Sequence, residues 1–304
     1  MSGADSEQAP GHVLVTGAGG FLGRALMDRI TAQGMRATGL TRQDVDLRDA
    51  NGLRDVVARI QPDVAIDAAG VTPGSGDVGD NVVMTQSWVD AIANMDHAPR
   101  LVLVGSAAIY GTGAPQDRAT REDDPMQPTS EYGRAKLDAL RIANAAADAR
   151  SDVQTGILFN LMGVGQPDHL APQVFVRRAL EATKDNPYDV GPIGAVRDFM
   201  DIHDAADALI ALARFGRPGT MANVATGRAT RIGDVLSLLQ ARLDVGWISS
   251  GNANDARGDY VCYGDPARLM QMTGWAPRHD LETALDQIIA ATRQSIQKDT
   301  RTAS

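Results

Sequence analysis

The first half of the chain alternates short apolar runs with segments of helical period. His12–Thr16 is a compact apolar run suited to a buried strand, and residues 21–33 follow it with Leu22, Ala25, Leu26 and Ile30 on one helical face. A second strand is expected over residues 35–40. Leu53, Val56, Val57 and Ile60 recur at i, i+3, i+4 and i+7, which makes residues 48–60 an amphipathic helix that Pro62 stops. The rhythm continues with a strand over Val64–Asp67, a helix over 81–95, a strand over 101–105, a helix over 131–147 and a strand over 155–159. Such repetition predicts an α/β fold of Rossmann type: a doubly wound parallel sheet with right-handed crossovers.

Beyond Phe159 the rhythm breaks. Residues 163–172 and 185–197 are rich in Gly, Pro and Asp and flank a helix over 173–182. A second set of elements follows over 204–214, 221–225 and 232–243, with a terminal helix over 281–297. The expected organisation is a disordered tail (1–10), a dinucleotide-binding domain (11–160) and a smaller, partly interleaved substrate-binding domain (161–304). Parts of 195–225 and 260–272 return to the first domain.

Composition narrows the partners. A net charge of −9 and a pI near 5.0 argue against nucleic acid, although a few local arginines could still bind an anionic substrate. Cys262 is the single cysteine, which excludes an internal disulfide and suits a reducing compartment. No run approaches the roughly eighteen apolar residues of a membrane span, and the polar first ten residues carry no signal-peptide core. The expectation is a cytoplasmic protein with no membrane partner and no metal.

Chemistry enters through two patterns. Thr16-Gly17-Ala18-Gly19-Gly20-Phe21-Leu22-Gly23 directly follows a strand and opens a helix, the context in which a glycine loop binds a dinucleotide pyrophosphate. Gly17 would permit the tight turn, Gly20 the approach of backbone to pyrophosphate, and Gly23 close helix–strand packing. Downstream, Ser130-Glu131-Tyr132-Gly133-Arg134-Ala135-Lys136 sets a phenol and an ammonium four residues apart on one helical face. The ammonium is expected to stabilise the phenolate and bring proton exchange by Tyr132 nearer neutral pH. Ser106, at a strand's C-terminal end, can hydrogen-bond the same carbonyl oxygen that Tyr132 protonates.

With Ser106 and Tyr132-x-x-x-Lys136, the glycine loop resembles the extended short-chain dehydrogenase/reductase family, also called the NAD-dependent epimerase/dehydratase family, over nearly the whole chain. The stretch from Leu103 to Gly111, the approach through Glu122, Pro125, Pro128 and Ser130, and the C-terminal Asp265-Pro266 and Gly274-Trp275-Ala276-Pro277 carry the similarity further. The resemblance implies Ser106, Tyr132 and Lys136 as catalytic residues. It implies a cofactor site of Thr16, Gly17, Gly20, Phe21, Leu22, Gly23, Thr41, Arg42, Asp46, Leu47, Ala68 and Ala69, shared with Tyr132 and Lys136. Asn160, His169 and Arg197 are the implied substrate contacts, Arg197 holding a diphosphate. A homodimer packed through the helices over 81–95 and 131–147 is implied as well. His203 reads as structural, near a helix start capped by Asp204, and Trp275 as a packing residue.

The second strand ends in Thr41-Arg42 where an acid would bind the ribose hydroxyls of NAD, which favours NADP(H), with NAD(H) as the alternative that nearby Asp44 keeps open. Ala107-Ala108 stands where the family's 4,6-dehydratases place an Asp-Glu pair, so elimination is disfavoured. The pattern is closest to GDP-4-keto-6-deoxymannose reductases. The expected activity is reduction of the 4-keto group of a nucleotide-linked 4-keto-6-deoxyhexose, with Tyr132 as proton donor. A nucleotide-sugar 4-epimerase with tightly held NAD is the alternative, and a non-catalytic dinucleotide sensor a third.

Overall fold

The computed structural model describes residues 11–93, 95–147, 151–191, 193–249 and 260–302, with side chains through 298; the expected tail, 1–10, lies outside them. The chain begins β1 (His12–Thr16), α1 (Phe21–Ala32), β2 (Arg36–Leu40), α2 (Ala50–Ile60), β3 (Val64–Asp67), α3 (Asp80–Ile92) and β4 (Arg100–Ser106). A single 3-10 turn (Ala107–Ile109), α4 (Glu131–Ala146) and β5 (Val153–Leu158) complete this run. Then come β6 (Asn160–Met162), α5 (Ala171–Glu181), β7 (Tyr188–Val190), β8 (Val196–Arg197), β9 (Phe199–Asp201), α6 (Ile202–Phe215) and β10 (Met221–Val224). The chain closes with β11 (Thr230–Arg231), α7 (Ile232–Leu243), β12 (Trp247–Ser249), β13 (Val261–Cys262), α8 (Ala267–Thr273) and α9 (Leu281–Thr302).

Six parallel strands form the main sheet in the order β10-β5-β4-β3-β1-β2. Alternate residues of the inner strands feed opposite faces, and both faces are dry. Val13, Val15, Val64, Ile66 and Val102 pack under α1 and α6, while Leu14, Ala65, Leu101 and Leu103 pack under α2, α3 and α4. Burial on both sides is why these strands read as continuous apolar runs. Strand order reverses at β1, which has β2 on one side and β3 on the other. The crevice beyond the C-terminal ends of β1 and β3 is therefore the place where such a sheet binds a ligand. A separate apolar cluster joins α5, α7 and α9 with β7 and β12, centred on Val176, Leu236, Leu239, Leu285 and Ile288.

Several boundaries differ from the sequence reading for identifiable reasons. Helix α2 starts at Ala50 because the Asp49 carboxylate caps it, accepting from the Asn51 N–H; Asp46, Leu47 and Arg48 stay outside as loop. Helix α5 begins before Pro172, which the first turn tolerates. The cap of α6 is Asp201, accepting from His203 N–H at 2.8 Å, and not Asp204. Asp204 lies inside the helix and instead accepts from the N–H groups of Arg278 and His279.

Candidate active site

Gly17 turns the chain at the end of β1 with φ +68°, and a Cβ there would lie 2.7 Å from the Ala69 nitrogen. Both facts demand glycine: the left-handed conformation, and contact with backbone just beyond β3. The chain then passes through Gly20, the N-cap of α1, which has no side-chain cap, so the helix's first N–H groups remain available to an anion. Leu22 is buried in the sheet core, so it can meet a cofactor only through its backbone.

This turn is one wall of a cleft of about 730 Å³ lined by Thr16, Gly17, Gly20, Thr41, Arg42, Asp46, Leu47, Ala68 and Ala69, nine residues singled out in the sequence. Gly19, Gln43, Val45, Arg48, Ser75, Gly76, Asp80 and Met84 line it too. Beyond β2, Asp44 is occupied locally: its Oδ2 accepts from Thr41 N–H and Thr41 Oγ1, both at 2.8 Å, which holds its carboxyl below the ordinary range. Arg42 is exposed and makes no hydrogen bond or ion pair among the described residues. Asp46 is pulled down to about 2 by the guanidinium and N–H of Arg48. The cleft fits a dinucleotide, with glycine backbone and a helix N-terminus for the pyrophosphate and a free guanidinium at the far end.

Two of the candidate catalytic side chains, Ser106 and Tyr132, meet at the end of β4. Ser106 caps the 3-10 turn, its Oγ accepting from Ala108 N–H at 3.3 Å. The first turn of α4 presses against this turn because Gly133 has no side chain; a Cβ there would lie 2.6 Å from the Ala108 oxygen. Ser130 fixes the same turn by accepting from Gly133 N–H at 3.0 Å. Tyr132 is thereby brought to the Ser106 hydroxyl. Burial pushes its phenol above the ordinary value, and the Ser106 hydrogen bond pulls the other way. The lowering expected from Lys136 is not what the geometry delivers. Lys136 Nζ donates to the Val104 carbonyl at 3.1 Å and interacts with Asp67, which is buried at the end of β3. A phenol held protonated suits a proton donor.

The implied substrate contacts follow β5, whose Leu158 pairs with Ser106 of β4. Strand β6 pairs with β9, which sets Asn160 opposite Phe199, and the Asn160 N–H donates to the Asp198 carbonyl at 3.1 Å. The Arg197 guanidinium lies 5.0 Å over the Tyr260 ring and donates to the carbonyls of Val196 and Tyr260. His169 is exposed in the loop before α5. Two residues near the site escaped the sequence reading. Asp67 ends a strand like many an aspartate, and only the fold reveals that it faces Lys136. Asn81 holds the loop after β3, its amide accepting from Val71 N–H and donating to the carbonyls of Val71 and Val78.

A doubly wound sheet, a glycine turn at its switch point and a Ser–Tyr–Lys group beyond the neighbouring strands define an oxidoreductase-type dinucleotide-binding protein. The profile of the NAD dependent epimerase/dehydratase family matches residues 13–225, and the chain belongs to that family. It is 31% identical to the dTDP-6-deoxy-L-talose 4-dehydrogenase (NAD(P)(+)) of Kitasatospora kifunensis over 93% of this chain and 96% of that one. It is 24% identical to the GDP-6-deoxy-D-mannose reductase of Pseudomonas aeruginosa over 92% and 96%. Other relatives include a UDP-glucose 4-epimerase and a dTDP-glucose 4,6-dehydratase. Among solved structures, RMD from Pseudomonas aeruginosa complexed with NADPH shares the fold, with a TM-score of 0.80 at 24% identity over 92% of this chain and 98% of that one.

Proposed function

We propose that the protein is an NADPH-dependent reductase of a nucleotide-linked 4-keto-6-deoxyhexose. The observation that carries this reading is the meeting of Tyr132 and Ser106 at the end of β4, beside a cleft whose adenosine end holds an unpaired Arg42. Support comes from one relative named as a 4-dehydrogenase of a dTDP-linked 6-deoxyhexose and another named as a GDP-6-deoxy-D-mannose reductase. Thr16, Gly17, Gly20, Phe21, Leu22, Gly23, Ala68 and Ala69 would hold the dinucleotide, with Lys136 on its ribose and Thr41 and Arg42 on a 2′-phosphate. The bound nicotinamide supplies a hydride to the carbonyl carbon. Tyr132 gives its phenolic proton to the oxygen as negative charge develops there, and Ser106 hydrogen-bonds the same oxygen. Solvent then reprotonates Tyr132. Asn160 and Arg197 hold the sugar and diphosphate, and His169 borders the sugar. Ala107-Ala108 provides no acid–base pair for elimination.

Incubation with NADPH and a nucleotide-linked 4-keto-6-deoxyhexose should yield the 4-hydroxy sugar. Tyr132→Phe should lower kcat by roughly 10²–10⁴-fold while the thermal shift given by NADPH persists. Full turnover in Tyr132→Phe would sink the mechanism. Copurifying NAD, with epimerisation in the absence of added cofactor, would transfer the reading to a 4-epimerase. The same reading extends to a homodimer packed through α3 and α4, tested by the mass in solution.

A further inference from the structure

The Lys136 amine is buried, and its hydrogen bond to the Val104 carbonyl does not by itself keep it charged, because burial favours the neutral form. The group that faces it is Asp67. Thr16 Oγ1 at 2.5 Å and Ala69 N–H at 3.3 Å both donate to Asp67 Oδ1. Burial pushes the Asp67 carboxyl above its ordinary range, while the Thr16 hydrogen bond, the charge of Lys136, the Ala69 N–H and the buried Trp88 indole all favour the carboxylate. Asp67 and Lys136 line one cavity of about 20 Å³, room for a single bridging water. Around it α3 contributes Asn81 and Thr85, β4 the Val104 backbone and β5 Thr155; none of these titrates, and Asp67 is the cavity's only carboxylate. Helix α4 itself adds Tyr132, one turn before Lys136.

We infer that Asp67 is the buried counter-ion of Lys136, a positioning residue that holds the ammonium charged and anchored beneath the cofactor cleft. It acts through Lys136 and touches neither the sugar nor the reacting carbon. Thr16 and Ala69 fix its carboxylate, so the turn that opens the glycine loop also orients the counter-ion. The inference rests on the reading of Tyr132 and Lys136 as the proton-donating machinery. Without the carboxylate, the buried ammonium loses its compensating charge and gives up its proton at lower pH.

The chain has three lysines, Lys136, Lys184 and Lys298, so lysine-labelled protein gives three side-chain signals in a carbon-detected titration. Lys136→Met assigns the buried one by its disappearance. Asp67→Asn keeps the shape and removes the charge. It should move the Lys136 midpoint down by one pH unit or more, a tenfold loss of proton affinity, and the alkaline limb of kcat/KM for reduction should move with it. A role confined to pinning the Thr16 turn would lower Tm and leave the midpoint unmoved, and that result overturns the inference. Should Asp67→Asn fail to fold, the wild-type titration still decides, since a Lys136 that is a neutral amine at pH 7 rules the counter-ion out. Thr16→Val, which removes one hydrogen bond from the carboxylate and keeps Asp67 itself, should move the midpoint in the same direction and by less than Asp67→Asn. The titration needs no substrate, so a failed sugar-reductase reading and a failed counter-ion are told apart.

Discussion

Ser106 is held from two sides, by the N–H of Ala108 and by the approach of Tyr132, so its hydroxyl is aimed before any carbonyl arrives. Preorganisation of this kind acts mainly on the developing oxyanion. Ser106→Ala should therefore lower kcat by roughly 10²-fold and change KM little; steady-state kinetics on the sugar ketone would show it, and an unchanged kcat would remove Ser106 from the proposed mechanism. The residue types and spacing of Ser106, Tyr132 and Lys136 were legible in the sequence because each sits at a strand end or on one helical face. The direction of Lys136 was not. A spacing of four places two side chains on one face and says nothing of where a four-carbon arm ends, and here it ends on the Val104 carbonyl. Asp67 was invisible for a related reason: its partner is 69 positions away, and only the packing of α4 over β3 and β4 brings them to one cavity.

Between elements, two aspartates fasten the second half of the chain. Asp198 is fully buried just before β9, where its carboxylate accepts from Thr226 N–H, Thr226 Oγ1 and Gly227 N–H, with a longer bond from Gly264 N–H. It thereby joins β9 to the segments after β10 and β13. Asp198→Asn turns an amide against these donors and should cost about 3 kcal/mol or more, measured as a fall in denaturant midpoint. The start of α9 is tied to α6 in a second way: His279 Nδ1 lies 2.8 Å from Asp204 Oδ1 and 3.7 Å from Asp201 Oδ1. Burial works against the charge of His279, but the Asp204 hydrogen bond and both carboxylates outweigh it, so its pKa stands above the ordinary 6.5. A raised folded value means that this contribution to stability is complete below about pH 6.5 and is lost as pH rises through the folded pKa. His279→Gln should flatten that part of the Tm–pH curve; an unchanged slope would show that the imidazolium does not latch the two helices. The sequence showed long helices and sheet strands because their apolar periods run over enough residues to stand out. It missed β6–β9 and β11–β13, two or three residues each, because so short a strand contains no period. It misplaced the α6 cap because Asp201 and Asp204 are both plausible at a helix start, and only backbone geometry separates a cap from a first-turn residue.

At the scale of the whole molecule, a chain of net charge −9 must draw in a polyanionic cofactor against its own field. The repulsion acts over tens of ångströms, whereas any attraction by Arg42 acts at contact. Arg42 is free for that contact because Asp44, the carboxylate that could have neutralised it or bound ribose hydroxyls, is already engaged with Thr41. Arg42→Ala should therefore weaken NADPH more than NADH, since only the former carries a phosphate for the guanidinium to meet. Salt separates the two charge effects. Between 0.01 and 0.15 M the screening length falls from about 30 Å to about 8 Å. In Arg42→Ala only the long-range repulsion remains, so its affinity for NADPH should improve with salt. In the wild type the same relief is offset by a weakened Arg42–phosphate pair. The affinity gap between the two proteins should accordingly be widest at low salt and narrow as salt rises, measured by fluorescence titration with NADPH. A gap that is independent of salt and equal for NADPH and NADH would show that Arg42 meets no 2′-phosphate, and the cofactor preference would then have to be sought elsewhere along the cleft.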